Sequence, residues 1–154
     1  MRGFTNLTES VPRDTLVPLL DDYLECMARL IVEHGGQVSK FLGDGLLATF
    51  DLSDKQGDVI CRSSLDSALE VLIRAGELNR ERVAASKLTM QIDVALHLGD
   101  VLYGNVGAYD RLDFTVIGPA VNEASRIESL CDSVGRRLLV SNTFAEAATQ
   151  CTGR

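Results

Sequence analysis

Between residues 14 and 50 the spacing of apolar side chains changes once, from a helical period to a strand period, and a glycine pair marks the change. Leu16, Leu19, Leu20, Tyr23, Leu24, Met27, Leu30 and Ile31 recur at three- and four-residue steps, one stripe of a helix about five turns long. Gly35-Gly36 supplies the stop. Pro18 has no amide hydrogen and is tolerable only in a first turn, so the regular helix is expected to begin near Thr15 to Val17. Gln37 to Phe50 then gives two short apolar stretches around Gly43-Asp44-Gly45, the pattern of a β-hairpin with glycine where positive φ is needed.

The rest of the chain keeps alternating between the two periods. Residues 51–58 are polar and read as a loop, and residues 59–84 give a second helix with Leu65, Ala68, Leu69 and Leu72 on one side. Met90, Ile92, Val94, Leu96 and Leu98 alternate with Gln91, Asp93, Ala95 and His97, which predicts a strand with one buried face. Strands at about 101–106 and 113–117, a helix at about 119–132, a strand near 137–140 and a short helix after Ser141 complete the pattern. Helices and strands interleaved through hairpin-type links predict an α+β fold with a mostly antiparallel sheet and helices packed on it. At 154 residues without internal repeats, 1–154 reads as a single domain.

Charge and cysteine usage narrow the function classes. A net charge of −7 repels a phosphate backbone, so no nucleic-acid partner is expected. A nucleotide substrate stays open, because a metal ion can bring the positive charge that the chain lacks. Cys26, Cys61, Cys131 and Cys151 form no CxxC pair and no zinc-ligand pattern with His34 or His97, so they read as thiols in a reducing compartment. No apolar run approaches the roughly 20 residues of a membrane span, and no signal peptide is visible. The expected location is cytoplasmic, with no direct membrane contact from this segment, although a full-length parent could be membrane-anchored.

Three short constellations carry candidate chemistry, and each also has a plain structural reading. In Lys40-Phe41-Leu42-Gly43-Asp44-Gly45 a carboxylate at a glycine-flanked hairpin tip can reach a hard cation that also touches phosphate oxygens; an ordinary Asp-Gly turn beside a solvated lysine has the same sequence. In Met1-Arg2-Gly3-Phe4-Thr5 the backbone N–H groups of a glycine turn can cradle phosphates; a frayed terminus is the alternative. In Gly118 to Arg126, Pro119 is placed to start a helix whose apolar stripe is Val121, Ala124, Ile127 and Cys131. Asn122 and Arg126 are four apart on the other side, as paired donors for phosphate or ribose or as a solvated face.

Taken in order, MRGFT at 1–5, GGQVSKFLGDGLLATF at 35–50, ALHLGDVLYGNVG at 95–107 and RLDFTVIGPAVNEASRIESLC at 111–131 resemble the signature of class III adenylate and guanylate cyclases. The resemblance covers nearly the whole chain. It implies a ferredoxin-like, palm-like sandwich, the class III nucleotidyl cyclase fold, working as a head-to-tail homodimer with composite sites. Asp44 matches the second of two metal-binding aspartates, and Met1 the position that offers a backbone carbonyl to the metal. Gly3, Phe4 and Thr5 match the phosphate-contacting turn. Lys40 matches the purine-reading lysine, and Thr115 stands where many adenylate cyclases carry an aspartate, as in the threonine-type subgroup that includes bicarbonate-responsive enzymes. Guanylate cyclases typically carry glutamate and cysteine at these two positions, so ATP is the implied substrate. Asn122 matches the residue that orients the ribose, and Arg126 the one that stabilises charge on the transferring phosphate.

The implied reaction is ATP to 3′,5′-cyclic AMP and pyrophosphate with two Mg²⁺ or Mn²⁺ ions per site. Two departures from the family pattern qualify it. The first metal aspartate normally stands immediately before the residue matched by Met1, at the end of a strand, and the family usually continues past the last helix into further strands. The domain is therefore expected to lack the first strand and the C-terminal strands, and residues 1–154 alone are expected to give little or no turnover. A guanylate cyclase, or a degenerate domain that binds nucleotide or a dimer partner without turnover, remains the alternative.

Overall fold

The α2 helix, Arg13–Glu33, buries Leu19, Tyr23, Cys26, Met27, Leu30 and Ile31 on the stripe that the sequence marks. The computed structural model describes residues 1–53 and 56–150, so Cys151 lies outside the described residues. Before α2 comes a short helix, α1 (Phe4–Ser10); after it come β1 (Gln37–Leu42), β2 (Gly45–Thr49) and α3 (Gly57–Ala84). Then follow β3 (Val94–Leu96), β4 (Leu102–Ala108), β5 (Arg111–Ile117), α4 (Pro119–Ser133), β6 (Leu138–Val140) and α5 (Asn142–Thr149). The α2 helix begins at Arg13, earlier than expected, which puts Pro18 in the helix interior. Asp14 and Pro18 are both exposed, so water reaches the carbonyl that the proline leaves unbonded. Gly36 ends the segment for a packing reason: a Cβ there would stand 2.6 Å from the Phe50 ring and 2.7 Å from Ile31.

The buried face of α3 differs from the leucine stripe expected of it. Cys61, Ser64, Ser67, Ala68, Val71 and Ala75 face inward, whereas Leu69 keeps 44% of its surface exposed. Leu65 and Leu72 are half-buried. Val71 and Ala75 join the core cluster of α2, and α3 packs against α5 as well, so its inward face meets two helices.

Polar groups close the same region. The Tyr23 hydroxyl accepts the Met90 N–H at 2.9 Å and donates to Asn79 Oδ1, while Asn79 Nδ2 donates to the Met90 carbonyl at 2.9 Å. Buried Arg82 pairs with Asp22, donates to the Leu88 carbonyl and lies 6.0 Å from the centre of the Tyr23 ring. Burial pushes the Tyr23 hydroxyl above its ordinary pKa, against the Met90 hydrogen bond and the Arg82 charge. Cys26, Cys61 and Cys131 are buried free thiols whose pKa burial also raises, which keeps them protonated and unreactive.

The strand expected over residues 90–98 is regular only at Val94–Leu96, and both its faces are covered. Met90 and Ile92 join the α2–α3 core, while α4 packs on the opposite face with Cys131 fully buried there. Asp93, on the side expected to be polar and open, keeps only 6% of its side chain exposed. The fold is α+β as expected, with its strands in three two-stranded ladders: β1–β2 and β4–β5 antiparallel, and β3–β6 parallel. A cavity of about 1070 Å³ separates β2 from β3 and is lined by residues of both, with Met1 and Asp44 at its edge. No described helix is long and apolar enough to cross a membrane.

Candidate active site

The β1–β2 hairpin closes through a two-residue loop, Gly43-Asp44, because Leu42 pairs with Gly45. Gly43 takes φ 59°, the positive value that a tight hairpin needs at its first loop position. This places the Asp44 carboxylate, 36% exposed, at the tip. The register shifts between Val38 and Lys40, so Ser39 is an extra residue bulging from β1, and its hydroxyl meets that of Thr49 at 3.2 Å. Lys40 follows the bulge and is exposed.

Met1 reaches the hairpin tip. Its amino group lies 2.9 Å from Asp44 Oδ2 and 3.4 Å from the Asp44 carbonyl oxygen. The Asp44 carboxylate therefore lies beside the Met1–Gly3 turn. Among the described residues, however, no group of three or more His, Cys, Asp or Glu side chains could hold a metal ion. Asp44 is the carboxylate that the described residues present at this tip.

Gly3 leaves Met1-Arg2 with φ 74° and opens α1, whose first turn carries no side-chain cap. Gly3 and Thr5 are exposed, whereas Phe4 packs against the core cluster, so only the backbone of Phe4 is available on the open side. Arg2, which the sequence reading passes over, is the best-anchored side chain of this turn. Its Nε donates to Asp93 Oδ2 at 2.9 Å and its Nη2 to Asp93 Oδ1 at 2.6 Å. The hydrogen bond to Asp93 holds its guanidinium further into the charged form. The only hint in sequence is an acid on the polar side of an alternating strand.

The remaining candidates sit on other elements. Thr115 lies on β5 opposite Gly104, half-buried, and β5 packs against β1, which carries Lys40. The α4 helix starts at Pro119 after Gly118, with Val121, Ala124 and Ile127 half-buried on its inner side. Asn122 and Arg126 face out, and Arg126 meets Glu123 at 3.5 Å while keeping 77% of its side chain exposed. The fold therefore brings Met1 to Asp44 at the tip of the β1–β2 hairpin, with Gly3 and Thr5 following in the same turn. It leaves Asn122 and Arg126 directed to solvent from a helix that packs on β3, β5 and β6.

The β4–β5 hairpin exposes apolar side chains on both faces: Leu102 and Val106 on one, and on the other Leu112 and Phe114, with Tyr103 stacked on Phe114 at 6.0 Å; Leu102, Val106, Leu112 and Phe114 keep 52–68% of their surface. Such a patch marks an interaction site more often than a solvated surface.

Residues 1–152 match the family described as the adenylate and guanylate cyclase catalytic domain. An adenylate cyclase of Anabaena cylindrica is 35% identical over 147 residues, covering 93% of this chain and 28% of that protein. The chain thus spans about a quarter of the length of the curated relatives it matches first. Among solved structures, a guanylyl cyclase superposes with a TM-score of 0.79 at 28% identity, covering 96% of this chain and 74% of that one. The adenylyl cyclase CyaB from P. aeruginosa gives 0.78 at 26% identity, with 97% and 76% covered.

Proposed function

Because this chain belongs to the adenylate and guanylate cyclase catalytic domain family, we propose that it converts ATP to 3′,5′-cyclic AMP and pyrophosphate at sites shared between two copies. The observation that carries the proposal is the β1–β2 hairpin tip, where the two-residue Gly43-Asp44 loop presents the Asp44 carboxylate beside the Met1–Gly3 turn. In the reaction the ribose 3′ oxygen bonds to the α-phosphorus as the bond to the pyrophosphate oxygen breaks, and the hydroxyl proton leaves to solvent. Mg²⁺ or Mn²⁺, two ions per site, would lower the hydroxyl pKa and neutralise the phosphates. The backbone of Gly3, Phe4 and Thr5 would hold the phosphates, with Asp44 and the Met1 position turned toward the cations.

Lys40 and Thr115 would read the adenine, Asn122 would orient the ribose, and Arg126 would counter charge on the transferring phosphate. The outward aim of Asn122 and Arg126 favours their serving the site of a partner copy, and the apolar β4–β5 surface gives that copy a place to pack. In a catalytically competent form of the domain, Asp44→Ala and Arg126→Ala should each be nearly inactive as homodimers while melting close to wild type. Mixed with free subunit exchange, half the dimers pair one variant with the other, and each of these has one intact site. Cyclic AMP output should recover to roughly a quarter of wild type. A mixture as inactive as its components, with exchange demonstrated, would place the whole site within one chain.

A further inference from the structure

Within the Met1–Thr5 turn, one residue ties the backbone to the rest of the fold. The Arg2 N–H donates to the Gln91 carbonyl at 2.9 Å, the sole backbone bridge that joins this turn to the segment leading into β3 among the described residues. The Arg2 guanidinium then takes Asp93 in a two-pronged grip at 2.9 and 2.6 Å, reaches the Arg136 carbonyl at 3.2 Å and meets Asp132 at 3.3 Å. Asp93 belongs to the β3 approach, and Asp132 and Arg136 flank the end of α4. A planar fork fixes rotation as well as distance, which a single ammonium contact cannot do.

Met1 and Phe4 pack their side chains against the core cluster, and Arg2 adds the polar contacts that fix the backbone between them. Gly3 has no described atom within 4 Å of where a Cβ would stand, and α1 begins without a side-chain cap. The buried core cluster of α2, α3, Met90 and Ile92 does not include Arg2. Met1 and Gly3, the two neighbours of Arg2, are the residues that face Asp44 and open the turn. A rotation at Arg2 would therefore swing both.

We propose that Arg2, gripped by Asp93, is a positioning residue that locks the Met1–Thr5 turn so that its backbone and Asp44 face one triphosphate. The proposal rests on the nucleotide reading above, and it couples that turn to the end of the helix that carries Asn122 and Arg126. Arg2 need not touch the nucleotide.

The test compares wild type, Arg2→Ala, Arg2→Lys, Asp93→Asn and the Arg2→Ala/Asp93→Asn double variant of the full chain. One readout is calorimetric affinity for an α,β-methylene ATP analogue with Mn²⁺; the other is hydrogen exchange resolved along the chain. Arg2→Ala should weaken the analogue at least about tenfold, and Arg2→Lys should recover only part of the loss. The double variant should bind no worse than the weaker single one, because the two side chains act as a unit. Exchange should quicken in residues 3–7 while α2 and α3 stay protected. Unchanged affinity and exchange in Arg2→Ala would overturn the proposal, as would quickened exchange spread evenly through α2 and α3, the mark of a purely structural role. If wild type fails to bind the analogue, the nucleotide reading falls, and the exchange pattern still decides whether Arg2 holds the turn.

Discussion

Leu19 and Tyr23 are fully buried between α2 and α3, whereas Leu102 and Leu112, on the β4–β5 hairpin, each keep 68% of their surface. The first region satisfies itself: Tyr23, Asn79, Arg82 and Asp22 answer one another and the backbone at Met90 and Leu88. The hairpin does so only in part: its ladder is unbroken and Val116 is buried, yet Leu102, Val106, Leu112 and Phe114 stay exposed. The two regions separate what this chain settles alone from what it leaves to another surface. Every proposed contact with base, ribose or transferring phosphate lies outside the self-satisfied region, on β1, β5 and the outer face of α4.

The contrast breaks most visibly at the hairpin. If its apolar face is covered by a second copy, Leu112→Asp together with Phe114→Asp should weaken self-association about a thousandfold, or about 4 kcal/mol. The monomer should melt near wild type, since these side chains contribute little to its own core. Sedimentation at graded concentrations measures the first quantity and a thermal melt the second. Association that survives both substitutions would remove the hairpin from the interface.

On the closed side, Tyr23→Phe should cost about 2 kcal/mol, because it strands the buried Met90 N–H and the Asn79 carbonyl oxygen. Urea unfolding reads this as a lower midpoint at unchanged slope. Nucleotide affinity of the folded fraction should not move. A change in affinity instead would mean that the α2–α3 region reports to the site and that the two regions are not separate.

How far these regions could be read from sequence follows the same division. Period alone places α2, the β1–β2 hairpin and α4, because each repeats one spacing for several turns or pairs, and Pro119 and Ser141 mark helix starts that the structure keeps. The α3 stripe is misread because small residues, Cys61, Ser64, Ser67, Ala68 and Ala75 with Val71, and not the leucines, face inward, and composition does not reveal which face two neighbouring helices will cover. The burial of Asp93 is invisible for a related reason: a period of two assigns a residue to one face of the strand, but not what covers that face. Its partner, Arg2, lies 91 positions away, and no local pattern links them. The candidate residues come from motif resemblance. The structure adds their grouping: Met1 with Asp44, Lys40's strand against Thr115's, and Asn122 with Arg126 on an open face.

The smallest expected effect sharpens the contrast on the open side. Lys40 stands just beyond the Ser39 bulge, exposed, and Thr115 is half-buried opposite Gly104 on a strand that packs against β1. Neither belongs to the buried core, so both can change with little loss of stability. A site that hydrogen-bonds a base discriminates because the wrong base leaves polar groups unpaired. Lys40→Glu with Thr115→Cys exchanges a donor for an acceptor at one position and removes a hydroxyl at the other. In a catalytically competent form, the ratio of kcat/KM for ATP to that for GTP should fall at least about tenfold, or roughly 1.4 kcal/mol. An unchanged ratio in a still-active double variant would move purine reading to other residues. A large drop in melting temperature would instead assign Lys40 or Thr115 to the part of the chain that holds itself together.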